Sequence, residues 1–191
     1  MVLMRSLSQE DQQVLLRVAR QVIESGLDSG ERLHLDPKKY SEALRQWRAT
    51  FVTLYLDGKL AGCIGNLTAT RPLLQDVAEN AYGAANCDTR FAAIKGSDLA
   101  SLNIEIALLS ELHLIIVESE AQLKAQLVVN KHGLLIESAG HRATFLPKVW
   151  QSLPNKNDFL AHLKLKAGLP KGYWSNEISC FLYTTESFSD V

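Results

Sequence analysis

Phe51-Val52-Thr53-Leu54-Tyr55-Leu56-Asp57-Gly58-Lys59-Leu60-Ala61-Gly62-Cys63-Ile64-Gly65 carries the pattern that decides the fold. Branched and aromatic residues from Phe51 to Leu56 favour an extended backbone, and Asp57-Gly58 is a tight-turn dipeptide that leads straight back into Leu60 to Ile64. The reading is an antiparallel hairpin. With regular alternation along its second strand, Ala61, Cys63 and Gly65 point to one face and Gly62 and Ile64 to the other. Cys63 then has only small neighbours on its own face. Glycine lacks a Cβ, so the two glycines leave room beside Cys63 for a ligand or for another backbone.

Outward from the hairpin, helical signals alternate with strand signals. Ser8-Gln9-Glu10-Asp11 resembles a capping box, and Val14, Leu15, Val18, Val22 and Ile23 recur at helical spacing up to a stop at Gly26. A polar connection through Asp36-Pro37-Lys38 follows. Pro72 suits the first turn of a second helix, whose stripe is Leu73, Leu74, Val77, Ala81 and Ala85 and whose end is Asp88-Thr89-Arg90-Phe91. Small residues at Ala78, Ala81, Gly83, Ala84 and Ala85 let that helix approach a sheet closely. Leu102 to Leu108 reads as a strand with Asn103, Glu105 and Ala107 on its less apolar face.

Ser119 to Gln122 opens a short helix that buries Leu123 and Leu127. Gly133 to Ile136 and Arg142 to Phe145 are two strands joined by the turn-rich Glu137-Ser138-Ala139-Gly140. A last helix carries Phe159, Leu160, Leu163 and Ala167 and closes at Gly168, and Ile178 to Thr184 completes a sheet. Hairpins and separate helices, rather than strict βαβ alternation, predict an α+β fold with a mainly antiparallel sheet and packed helices.

At 191 residues, 47% of them hydrophobic, and a net charge of -1, the chain has the composition of a globular protein with a sizeable core. The balanced charge and the lack of a dense Lys/Arg stripe argue against an extended nucleic-acid footprint. The start, Met1-Val2-Leu3-Met4-Arg5, is too short and too soon charged for a signal peptide, and no apolar run approaches a membrane span. Cys63, Cys87 and Cys180 are odd in number and contain no CxxC pair, which disfavours a disulfide framework or structural zinc and fits a reducing, cytoplasmic setting. Neither a GxGxxG nor a Walker-type loop is present, so nucleotide chemistry has little support.

Several blocks, in order and spacing, resemble one known family. They are Gly62-Cys63-Ile64-Gly65, Arg71-Pro72-Leu73, Asp88-Thr89-Arg90-Phe91, Ile104-Glu105-Ile106, His132-Gly133-Leu134, Arg142-Ala143-Thr144-Phe145-Leu146-Pro147, and the tract from Phe159 through Lys166-Ala167-Gly168-Leu169-Pro170 to Tyr173-Trp174. The chain looks like a member of the AMMECR domain family, called in its prokaryotic form AmmeMemoRadiSam system protein A. The resemblance covers the chain from about the first helix to the C-terminus. It implies one AMMECR-type domain over 1–191, built of two intimately packed α+β subdomains, and an association with a Memo-like protein and a radical-SAM protein. It carries no established activity and names no cofactor. The family usually has arginine where this chain has Ala61, and an aromatic and a proline where it has Asn86 and Thr89.

Cys63 is the candidate nucleophile. A thiol needs a positive neighbour or a base to ionise at neutral pH, and His132 or His141 is the candidate base, with Glu105 to orient the imidazole. The plainer readings are a packed cysteine, a turn histidine at His132 and a carboxylate on a solvated sheet face at Glu105. Buried, Glu105 would need a partner such as Arg90 or Arg142. Arg90, Arg142 and Thr144 are the candidate ligand-binding residues. Arg142 and Thr144 share a strand face and suit an anion, or else make ordinary cross-strand contacts. His34, His113 and His162 show no metal-binding spacing, so no metal site is assigned.

Overall fold

The computed structural model describes residues 6–29 and 33–190, so the reading of Met1 to Arg5 lies outside the described residues. The chain divides into two compact units, Met1–Leu109 with Glu186–Val191, and Ser110–Thr185. Each carries a four-stranded antiparallel sheet and its own helices, which is the α+β architecture that the hydrophobic pattern predicts.

In the first unit the hairpin is β1 (Thr50–Leu56) and β2 (Lys59–Gly65), with β3 (Leu102–Leu109) on the other side of β1. Asp57 and Gly58 both take the left-handed backbone (φ 49° and 75°), the two-residue turn whose twist matches the flanking strands. Helix α1 (Gln9–Ser29) and helix α3 (Leu73–Asn86) pack on one face of this sheet. That face brings Val52, Leu54, Leu102, Ile104, Ile106 and Leu108 into a core where each such side chain contributes about 1.5–3 kcal/mol. A single turn of helix, α2 (Glu42–Arg45), precedes β1.

The cap of α1 forms as expected, with the Asp11 amide donating to Ser8 Oγ at 3.1 Å. Its end is different: Gly26 lies inside the helix, because the missing Cβ admits the ring of Tyr82 from α3, which would stand 3.1 Å from a Cβ there. The signal of a stop is a helix contact instead.

In the second unit the strand order is β4 (His113–Ile115), β7 (Ser179–Tyr183), β5 (Gly133–Ser138), β6 (His141–Phe145). Helices α4 (Glu120–Gln126) and α5 (Lys156–Lys166) contribute Leu123 and Phe159, Leu160 and Leu163 to its core. Trp150 stacks on Phe159 at 3.7 Å between centroids. The link between β5 and β6 is shorter than its composition suggests: Glu137 pairs with Arg142 and Ser138 with His141, and only Ala139-Gly140 turns, at φ 48° and 81°. The last strand, β8 (Thr185–Ser189), returns to the first sheet beside β3. None of the helices among the described residues is long and apolar enough to cross a membrane.

Candidate functional site

Cys63 sits near the end of β2, the edge strand of the first sheet. The register shifts between Leu54 and Tyr55, so Leu54 faces Gly62, Tyr55 faces Leu60, and Ala61 is an extra residue. This bulge interrupts the regular alternation: Ala61 joins the core beneath the helices instead of sharing a face with Cys63. A Cβ on Gly62 would lie 2.2 Å from the carbonyl oxygen of Ala84 in α3, and one on Gly65 would lie 2.3 Å from that of Thr50. Backbone fills the space at both glycines.

Beyond the bulge the alternation holds. Cys63 faces Thr53 on β1, and Thr53 faces Glu105 on β3, so these three residues form one row across the sheet. Thr53 Oγ1 lies 3.3 Å from Cys63 Sγ, and both Cys63 and Glu105 are half-buried. Two strand spacings separate the backbones of Cys63 and Glu105 by about 10 Å, with the threonine between them.

An edge strand presents unpaired backbone groups outward, and at Cys63 both are taken. The Cys63 amide donates to Asp88 Oδ2 at 2.8 Å, and the Cys63 carbonyl accepts from Arg90 Nη2 at 2.9 Å. Asp88 and Arg90 also bind each other, Nε to Oδ1 at 2.9 Å and Nη2 to Oδ2 at 2.8 Å. The pair stands where a neighbouring strand would. Its hydrogen bonds with Arg90 hold the Asp88 carboxyl down at about 2, against the opposing effect of burial. Asp88 in turn is the main cause that raises Arg90, with a smaller contribution from Cys63. The Asp88 side chain is 4% exposed and that of Arg90 60%, so the clamp keeps its carboxylate inside and shows its cation outside.

The loop after Cys63 is anchored from below. Asp76 of α3, fully buried, accepts from the Thr50 amide at 3.0 Å, Thr50 Oγ1 at 2.7 Å and Asn80 Nδ2 at 3.0 Å. Asn66 Nδ2 reaches its other oxygen at 3.3 Å, and Arg71 Nε lies 3.4 Å from it. Thr53, Asp76, Asn80 and the role of Asp88 escape the sequence reading. Only Asp76 and Asn80 leave a trace there, as a polar pair four residues apart beside the apolar stripe of α3.

His132, Arg142 and Thr144 belong to the second unit, whereas Cys63, Arg90 and Glu105 belong to the first. His132 Nδ1 accepts the amide of Val128 at 3.2 Å, closing the turn before β5, and burial followed by Lys131 lowers its pKa. His141 Nδ1 donates to the carbonyl of Ala167 at 2.7 Å, at the end of α5. Thr144 Oγ1 donates to Leu134 O at 2.9 Å and lies 2.7 Å from Tyr183 Oη. Arg142 Nε pairs with Glu137 at 2.7 Å, and both residues line an open cavity of about 360 Å³ at the β5–β6 turn. Among the described residues, no three His, Cys, Asp or Glu side chains are placed to hold a metal ion.

Cys87 is exposed and Cys180 buried, where desolvation pushes the Cys180 thiol up to about 11.

The AMMECR1 family model matches residues 16–188. A protein from Methanothermobacter thermautotrophicus is 31% identical over 96% of both chains. One from Methanocaldococcus jannaschii is 32% identical over 98% of this chain and 94% of its own. The crystal structure of an uncharacterised protein from Pyrococcus horikoshii superposes with a TM-score of 0.89 at 29% identity, covering 96% of this chain and 93% of that one.

Proposed function

Because this chain belongs to the AMMECR1 family, we propose that it is a partner or ligand-binding component acting beside a Memo-like protein and a radical-SAM protein, with the Cys63 edge of β2 as the docking element. One observation carries the preference for binding over bond-making: Asp88, the carboxylate at Cys63, is saturated by the Cys63 amide and by Arg90. A carboxylate held at about 2 is a poor general base near neutral pH. What the edge offers outward is the guanidinium of Arg90 beside a half-buried thiol, which suits an acidic or polar partner group.

The experiment is a binding titration of the purified chain against the Memo-like and radical-SAM proteins of the same organism. At least one complex is expected, weakened about tenfold by Arg90→Ala. Recovery of neither partner at concentrations of tens of micromolar overturns the docking role.

A second reading, Cys63 as a nucleophile with Glu105 and His132 as its helpers, draws support from the electrostatic contact of Cys63 with Arg90. It predicts iodoacetamide labelling of Cys63 faster than of the exposed Cys87 at neutral pH. Labelling no faster than Cys87 removes it.

A further inference from the structure

The cavity at the end of the second sheet has a lining that the docking role of the Cys63 edge does not use. Arg142, Glu137 and Ser179 stand side by side in register across β6, β5 and β7. Glu177 lies just before β7, and Ser138 and His141 line the cavity beside the Ala139-Gly140 turn. A volume of about 360 Å³ sits at the lower end of the roughly 300–1,000 Å³ of ligand pockets, which suits a small molecule. Its walls differ from a typical pocket in being charged and hydroxyl-bearing. An apolar ligand would strip water from the charged groups and return no bond, so the occupant must be polar.

The charges are of both signs and separately placed. Glu137 takes the Nε edge of the Arg142 guanidinium at 2.7 Å. A guanidinium has five N–H donors in a planar fork, so its Nη1/Nη2 end is left to receive a carboxylate, and the Glu137 contact fixes the direction in which it points. The Arg142 side chain is 53% exposed, which leaves that end reachable. Glu177 brings a carboxylate to the same cavity and makes no ion pair among the described residues. Glu177 is exposed, and the ammonium group of a bound molecule is the charge that complements it there.

We infer that this cavity binds a small molecule carrying one carboxylate and one ammonium group, an amino-acid-like zwitterion, with the carboxylate on Arg142 and the ammonium on Glu177. Ser179, beside Glu137 in register, adds a hydroxyl to the lining. This site lies within the second unit and is independent of docking at Cys63, so either assignment can fail without the other.

The test is a titration of the isotopically labelled full chain, followed by backbone amide shifts, with glycine, β-alanine and γ-aminobutyrate as zwitterions of increasing charge separation. Acetate and methylammonium are the single-charge controls. One zwitterion is expected to give saturable shifts at Glu137 to Arg142 and Glu177 to Ser179, with Kd of about a millimolar for so open a site. Either control should bind roughly tenfold more weakly. Glu177→Gln and Arg142→Gln should each reduce zwitterion binding by a similar factor while leaving Tm unchanged. Acetate or methylammonium binding as tightly as the best zwitterion, shifts centred elsewhere, or no saturable shift with any of the three would each overturn the assignment.

Discussion

Replacing Asp88 by asparagine keeps the shape of the side chain and removes its charge, which isolates what the carboxylate does for the backbone at Cys63. Oδ2 accepts from the Cys63 amide and Arg90 Nη2, and Oδ1 accepts from the Arg90 amide at 3.2 Å and Arg90 Nε. An asparagine offers one oxygen and one NH2 group, so one of these donor pairs must face another donor. A hydrogen bond to a charged group contributes about 1.5–3 kcal/mol, and the share of the exposed Arg90 is reduced by solvent screening. The expected loss is about 2–3 kcal/mol, from the lost charge on the bond to the half-buried Cys63 amide and from the donor pair left facing the NH2 group. At about 2–4 °C per kcal/mol for a chain of this size, Tm should fall by roughly 5–10 °C.

The pH dependence gives a second, independent readout of the same substitution. The folded pKa of Asp88 is depressed from 3.8 to about 2. Its contribution is therefore fully present above 3.8 and is lost as the pH falls through about 2. The variant has no such contribution to lose, so the stability gap between the two proteins should close across that acid window. Thermal unfolding followed by circular dichroism from neutral pH downward measures both effects. A variant within about 1 °C of wild type at neutral pH, with a parallel acid profile, would refute the clamp.

The crossing of α3 over β2 makes Gly62→Ala costly, because its Cβ would meet the Ala84 carbonyl at 2.2 Å. Urea unfolding should show a loss of at least about 3 kcal/mol, and a variant of unchanged midpoint would mean that α3 stands further away. In the second unit the buried Lys164 is bonded to Glu120 and to the carbonyl of Lys171 at 3.2 Å. Glu120→Ala should cost about 3–5 kcal/mol by leaving that ammonium without a counter-charge, whereas Lys164→Met should cost less, because the partly exposed Glu120 keeps Lys124 at 3.0 Å. Equal losses for the two variants would contradict this account.

Elements with strong local chemistry were readable in the residues. Asp57-Gly58 announces its turn because both residues tolerate the left-handed backbone, and the alternating face of β3 follows from Leu102, Ile104, Ile106 and Leu108. Ala139 at φ 48° carries no such signal, so Glu137 and Ser138 read as turn rather than strand. The short β4 and the polar β8 lack periodicity long enough to detect. Ala61 is an ordinary small residue, and nothing local distinguishes it as the extra residue of a bulge.

The candidate site was readable only as a set of residue types. That Cys63, Arg90 and Glu105 lie in one unit while His132, Arg142 and Thr144 lie in the other depends on where the chain leaves the first sheet after β3 and returns as β8, which no spacing encodes. The role of Asp88 and Arg90 likewise follows from β2 being an edge strand, a property of strand order rather than of sequence.

That edge position also constrains how anything can bind at Cys63. An open edge would accept an added strand through its backbone groups, with little regard for the partner's side chains. Asp88 and Arg90 occupy those groups at Cys63, so strand addition at this residue would first have to displace an ion pair whose carboxylate is buried. A partner meeting the intact clamp must instead read side chains: the outer face of the Arg90 guanidinium, the thiol and the Thr53 row beside it. The clamp thus blocks nonspecific edge pairing and makes recognition at Cys63 depend on a complementary charge, which is why Arg90→Ala is the substitution that should separate a docking surface from a merely protected edge.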